Sequence, residues 1–268
     1  MLRDITLGQF YPTDSLIHRL DPRVKLAGTF VFILSLFVFR SFTGYIIATI
    51  FLAAVIALSR VPLSFMVRGL KTVMILLLVT VVINLFATDG TPVFTFHKLT
   101  ITKEGIYSAG FMMLRLVYLI MGSSVMTLTT TPNHLTDGME KSLGWMTKIK
   151  VPVHEIAMMM SIALSFIPIL LEETDKIMKA QMARGADFES GNLFRRIKSM
   201  VPILVPLFVS AFRRANDLAM AMEARCYRGG DGRTKMTPLR YGGRDFAAYG
   251  VLALYLAAVI VVPRVIQL

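Results

Sequence analysis

Apolar residues run along this chain in blocks rather than in the regular alternation of a water-soluble core. Leu26 to Phe39, Tyr45 to Leu58, Val73 to Ala87 and the stretch from Gly105 to Thr131 follow one another with short polar connections, and Phe246 to Val262 closes the series. Each block reads as a membrane span, although several fall short of the ~20 residues that cross a bilayer comfortably. Pro22 opens the first helix, at a position where a missing N–H costs nothing. Arg40 to Gly44 reads as a tight turn, and Arg60, Arg68 and Lys71 flank a loop around Pro62. Val93 to Thr102 alternates after the turn signal Asp89-Gly90-Thr91-Pro92 and predicts a short hairpin strand in an ordered outer loop or re-entrant segment.

The pattern changes between residues 132 and 245. Pro132 to Lys141 reads as a capped helix start, with Thr136 and Glu140 one residue off capping-box spacing. Apolar Val151 to Leu171 then runs without a break signal into Glu172-Glu173-Thr174-Asp175-Lys176, which predicts one long helix from Val153 to Arg184, about 48 Å long. Gly185, Asp187 and Gly191 end it. A second long helix is expected from Arg195 to Arg225, bent near Pro202 and Pro206. Ala157, Ser161 and Ser165 on the first helix, and Ala211, Ala215 and Ala219 on the second, form small-residue stripes that let the two approach closely. Tyr227 to Arg233 reads as a flexible stop.

The fold class is therefore an all-α integral membrane protein. About five transmembrane helices are expected, with two long crossed cytoplasmic helices inserted before the last span. The expected regions are 1–131 with about four spans, 132–245 as a cytoplasmic or interfacial region, and 246–268 as the final transmembrane helix.

Composition sharpens this picture. The chain of 268 residues is 55% hydrophobic, with a mean hydropathy of +0.63. The net charge of +12 would suit nucleic acid, but no nucleic-acid-binding signature accompanies it. The basic residues instead follow the positive-inside rule. With a cytoplasmic N-terminus, Arg19, Arg23, Lys25, Arg60, Arg68, Lys71, Lys141, Lys148 and Lys150 fall inside, and only Arg40, Lys98, Lys103 and Arg264 fall outside. No signal peptide is expected, because the first 25 residues hold no apolar run. The segment from Tyr11 to Lys25 reads as a solvated lead-in in which Asp14 or Ser15 caps a short turn, and His18 has no ligand-spaced partner. The single cysteine, Cys226, excludes an internal disulfide and a cysteine-based metal cluster.

Catalytic patterns are absent. There is no phosphate-binding GxxxxGK[ST], no HExxH and no GxSxG, so neither an enzyme nor a bound cofactor is expected. Glu172, Glu173 and Asp175 point in different directions around a helix and read as its solvated face. What remains is a pattern that occurs twice. Asp175 to Gly185 and Asn216 to Cys226 are both rich in methionine and small residues, and both end in Ala-Arg followed by turn-prone sequence, about 41 residues apart. Two readings of Arg184 and Arg225 stand. Either each complements the negative end of its helix dipole, worth about 0.3–1 kcal/mol, or each enters a groove on a partner and pairs bidentately with a carboxylate. In the second reading Met178, Met182, Met220 and Met222 give an adaptable apolar contact around the arginine.

Specific stretches carry a resemblance: Ser15 to Leu26, Leu128 to Pro132, Thr136 to Glu140, Glu172 to Gly185 and Ala221 to Gly230. On these the chain resembles the transmembrane coupling subunit, or T component, of energy-coupling factor transporters. The resemblance implies a non-catalytic subunit in the cell membrane that couples two cytoplasmic ATP-binding-cassette ATPases to a substrate-binding membrane subunit, the S component, for vitamin uptake. It implies that Ala183-Arg184-Gly185 and Ala224-Arg225-Cys226 are the two ATPase-docking motifs. Cys226 stands where glycine is common in the second. The competing class is a permease carrying its own substrate, which predicts paired charges or broken helices at mid-membrane. Arg115 and Asn84 are the obvious candidates for that role.

Overall fold

A computed structural model describes residues 10–39, 42–96, 99–186, 188, 193–230 and 236–266. Arg40, Ser41, Lys98, Asp187, Gly191 and Asp231 to Arg233 lie outside the described residues, as do the first nine. The described elements are α1 (Pro22–Val38), α2 (Phe42–Ser59), α3 (Leu63–Ala87), β1 (Pro92–Phe96), β2 (Leu99–Thr102), α4 (Lys103–Thr129) and α5 (Pro132–Ser142). A 3-10 turn, Gly144–Ile149, leads to α6 (Val153–Ala183), α7 (Leu193–Ala224) and α8 (Gly243–Ile266). The expected hairpin forms as two antiparallel strands with Phe96 opposite Leu99.

Among the described residues, length and composition single out α2, α4, α6 and α8 as able to cross a membrane. α3 makes a fifth span if its two segments, Leu63–Lys71 and Val73–Ala87, which meet at 60°, are counted as one. α1, at 17 residues, is shorter than a typical span. The chain is thus an all-α, multi-pass membrane protein, and α6, whose apolar first part is expected in or against the membrane, is among its membrane-length helices.

The chain forms two compact units. The first is a bundle of residues 8–141 and 239–268. Its core joins Phe32 and Leu36 of α1, Tyr45, Ala48 and Leu52 of α2, and Tyr255 and Val259 of α8. Inside it, the Ser35 hydroxyl bonds the Tyr255 hydroxyl at 2.7 Å, which satisfies two polar groups that would otherwise be costly to bury. α4 reaches α1 at Gly122, where an added Cβ would lie 2.7 Å from the Phe32 ring. Large apolar side chains such as Phe30, Ile50, Ile75 and Leu254 are exposed, as expected where lipid replaces water around the bundle.

The segment before α1 departs from the expected solvated lead-in. Ser15 and Asp21 are buried, and Tyr11 N–H donates to Leu128 O at 2.9 Å. Ser15 does cap its turn, accepting from His18 N–H. His18 Nε2–H donates to Tyr11 O at 3.0 Å, which leaves Nδ1 to accept from the Ser15 hydroxyl at 2.7 Å. Burial holds the His18 pKa below its ordinary value. Asp21 caps α1 and pairs with Arg23 at 3.0 Å, and the Arg23 guanidinium lies 3.8 Å from the centre of the Tyr241 ring. Burial pushes the Asp21 carboxyl up, but its bonds from the Arg23 side chain and backbone outweigh that and leave it below the usual carboxylate range. Asp245 accepts from Asp21 N–H at 2.8 Å, tying the start of α8 to the start of α1. Lys25, just ahead of the apolar part of α1, donates to His18 O at 3.0 Å and Thr129 O at 2.9 Å. Charges that the sequence places in solvent instead help staple three helix ends together, through distant partners (Asp245 with Asp21, Tyr241 with Arg23, Thr129 with Lys25) that no local pattern reveals.

Candidate arginine docking turns

The second unit, centred on Ser142–Pro238, contains α6 and α7. They pack antiparallel, with Gln181 Nε2 donating to Pro202 O at 3.4 Å and Arg214 facing Glu173 at 3.6 Å. Glu173 is therefore an interhelix partner, not simply part of a solvated face; Glu172 is exposed and Asp175 pairs with Lys179 along the helix. The face of α7 that is sheltered runs through Ile203, Leu207, Ser210, Arg214 and Leu218. The small-residue stripes are sheltered only in part: Ala157 is buried and Ser161 and Ala211 are half-buried, whereas Ser165, Ala215 and Ala219 are exposed. Both helices continue through internal prolines, Pro168 in α6 and Pro202 and Pro206 in α7.

Both arginine turns close in the same way. After α6, Gly185 N–H donates to Met182 O and Ala186 N–H to Gln181 O, each at 3.0 Å. After α7, Cys226 N–H donates to Glu223 O at 2.8 Å and Tyr227 N–H to Met222 O at 3.0 Å. These paired bonds are the Schellman helix end, which requires a left-handed residue just past the cap. Gly185 takes it at φ +84° and Cys226 at φ +56°. Glycine adopts that conformation freely, whereas a residue with a Cβ is strained by about 1 kcal/mol. The cysteine therefore falls at the one place in the motif where a side chain matters to the backbone, and the turn keeps its geometry regardless.

The same closure bears on what the arginines do. Backbone N–H groups from the turn satisfy two of the last carbonyls of each helix, so those two need no guanidinium as a hydrogen-bonding cap. Ala183, Arg184, Gly185, Ala224, Arg225 and Cys226 are all exposed. Neither Arg184 nor Arg225 joins an ion pair between described residues. Met182 and Met220 are exposed beside them, while Met178 and Met222 are half-buried. The two turns differ in the chain just beyond them. Past Cys226, Gly229 turns left-handed at φ +94°, and Gly230 lies against the His154 ring, where an added Cβ would sit 2.5 Å from Cδ2. Gly230 thus packs closely against the first turn of α6, while Asp231 to Arg233 of the expected stop lie outside the described residues. The adjacent glycines were the only sequence signal of this packing.

Among the described residues, neither mid-membrane candidate pairs with a charged group. Asn84 donates to Thr80 O at 2.9 Å and accepts at its backbone carbonyl from Thr88, both within α3. Arg115 lies over the Phe37 ring at 5.3 Å. A cavity of about 210 Å³ in the bundle is walled by residues such as Val24, Phe32, Leu52 and Val125. Lys25 is the charged side chain in its lining, and two of its donor bonds are spent on His18 and Thr129. It lacks the convergent polar groups that orient a polar ligand.

Residues 13–236 match the family model CbiQ, described as cobalt transport protein. An energy-coupling factor transporter transmembrane protein EcfT of Clostridium kluyveri is 55% identical over 267 residues, covering 99% of this chain and 98% of that one. Proteins of the same description from Thermosediminibacter oceani and Bacillus subtilis are 55% and 48% identical, over 94% and 91% of this chain and 96% and 93% of theirs.

Proposed function

Since this chain belongs to the family of energy-coupling factor transporter transmembrane proteins, we propose that it is the coupling subunit of an ATP-driven vitamin importer. It is a non-enzymatic transport component of a multi-subunit complex; the coupling itself is the proposal. In this reading the N-terminus is cytoplasmic, the protein sits in the cell membrane, and residues 132–245 form the coupling region between membrane regions 1–131 and 246–268. Arg184 and Arg225 dock into two cytoplasmic ABC ATPases, and a separate S component carries the substrate.

The observation that supports this best is the pair of matching helix ends, each presenting an exposed arginine that the described fold does not use. A Schellman turn fixes the direction in which the chain leaves the helix, so each guanidinium is offered from a rigid base. Rigidity matters because a docking arginine that is already ordered loses less entropy on binding. The α6–α7 contact through Glu173 and Arg214 makes the two ends parts of one body. When the ATPases close on ATP, both helices are displaced together, and the S component reorients and releases its vitamin inside.

ATP-dependent vitamin uptake in vesicles containing the whole complex tests this. Arg184→Glu with Arg225→Glu abolishes uptake while the chain still inserts in the membrane. Normal uptake by the double variant refutes arginine docking. ATP-independent uptake by this chain alone favours the permease reading.

A further inference from the structure

We infer that Arg115 is a contact for a membrane helix of the S component, through a carboxylate that this partner presents near the bilayer midplane. The inference rests on the coupling reading above and adds to it a site in the bundle, away from the arginine turns.

Arg115 lies twelve residues after Lys103 and fourteen before Thr129 in α4, about 18 and 21 Å from the two ends. A hydrocarbon core is ~30 Å thick, so the residue sits near its middle. Its Nε is buried with no hydrogen-bond partner among the described residues. Its guanidinium rests on the face of Phe37. A cation at this depth is expensive and normally faces a partner or a polar cavity.

The chain itself offers no counter-charge there. The apolar stretches 26–39, 42–59, 63–87, 105–129, 156–171 and 246–266 contain no aspartate or glutamate, and the nearest acids of α6, Glu155, Glu172 and Glu173, flank its apolar stretch rather than lie within it. The same fact disfavours a second copy packed through this face, which would bring two arginines together and no acid from the bundle helices. Lipid phosphates lie at the membrane surfaces, far from this depth. A carboxylate carried in by another membrane helix is the complement that remains.

The surroundings suit such a helix. Phe30, Leu34 and Phe37 lie at i, i+4 and i+7 on α1, with exposures of 64%, 50% and 58%, so they form one apolar stripe on its outer face. Arg115 sits beside the Phe37 end of it. An aromatic stripe with an adjacent arginine is the composition that dominates binding energy at protein interfaces.

The test uses the complete complex of this chain, both ATPases and each S component of the same cell in turn, with a tag on this chain. Arg115→Met should lower recovery of the S component at least tenfold and leave both ATPases bound. Arg115→Lys, which keeps the charge, should restore part of it. Replacing the mid-span carboxylate of the S component by its amide should cause the same loss, and combining it with Arg115→Met should add little further. This partner-side variant keeps the test open if Arg115→Met does not accumulate. The inference is overturned if the S component stays at wild-type level in Arg115→Met, if the ATPases are lost with it, or if only bound phospholipid falls. Failure of the wild-type chain to hold ATPases at all would instead sink the coupling reading.

Discussion

Arginine serves opposite ends in two regions of this molecule. Before α1, Arg19 forms a forked pair with Asp14, and Arg23 is held between Asp21 and the Tyr241 ring. At the ends of α6 and α7, Arg184 and Arg225 are exposed, and the turns beneath them are closed by backbone alone. The first pair is part of the fold's own bonding. The second is held in place by the fold without being used by it. A charged side chain that the fold positions but does not consume is available to a partner, and this separates the two regions more sharply than sequence position or charge does.

The contrast can be tested from both sides, beginning with the largest stability effect. Asp21→Ala removes the α1 cap and leaves Arg23 half-buried and unpaired, which should cost about 3 kcal/mol. Thermal unfolding in detergent should show a marked fall in Tm, whereas Arg225→Ala should leave Tm within about 1 °C of wild type, an effect below ~0.5 kcal/mol. Equal losses from both would erase the distinction. Gly230→Ala drives a methyl group against the His154 ring and should cost about 1–3 kcal/mol, with faster hydrogen exchange in residues 225–230 than in 184–186. Unchanged exchange would mean that the second turn is not anchored there.

Cys226→Gly relieves a left-handed side-chain residue and should stabilise the chain by about 1 kcal/mol, while ATPase binding is retained. A loss of stability on that change would show that the thiol, not the backbone, holds the turn. The smallest expected effect is with pH. Because burial lowers the His18 pKa in the folded state, the unfolded chain binds more protons through that window. Stability is therefore full above the unfolded value of about 6.5 and declines as pH falls below it. His18→Gln should flatten the decline, and an unchanged acid limb would remove His18 from the account.

The sequence made much of this fold legible. Apolar blocks, several of them shorter than a bilayer span, marked most of the helices, and the alternation after Pro92 marked the hairpin. The two Ala-Arg ends lay within a residue of their observed caps. What stayed hidden depends on contacts between distant positions. Asp21 meets Asp245 across 224 residues and Lys25 meets Thr129 across 104, so no local pattern announces them. Glu173 looked solvated because its partner, Arg214, lies on another helix. The small-residue stripes told only part of the packing: Ala157, Ser161 and Ala211 are sheltered, but the bonds between the two helices run through Gln181 and Pro202 and through Glu173 and Arg214. Cys226 looked like a departure from the first motif, and only the backbone angle shows that the turn is the same.

Co-purification of the two ATPases with this chain, comparing wild type with Arg184→Glu plus Arg225→Glu, tests the central claim most directly. Each arginine that pairs with a buried carboxylate contributes about 2–5 kcal/mol, so losing even one should weaken binding roughly 30-fold or more. The account predicts that wild type retains both ATPases and that the double variant loses them with no change in Tm. Retention of both ATPases by a folded double variant would contradict it.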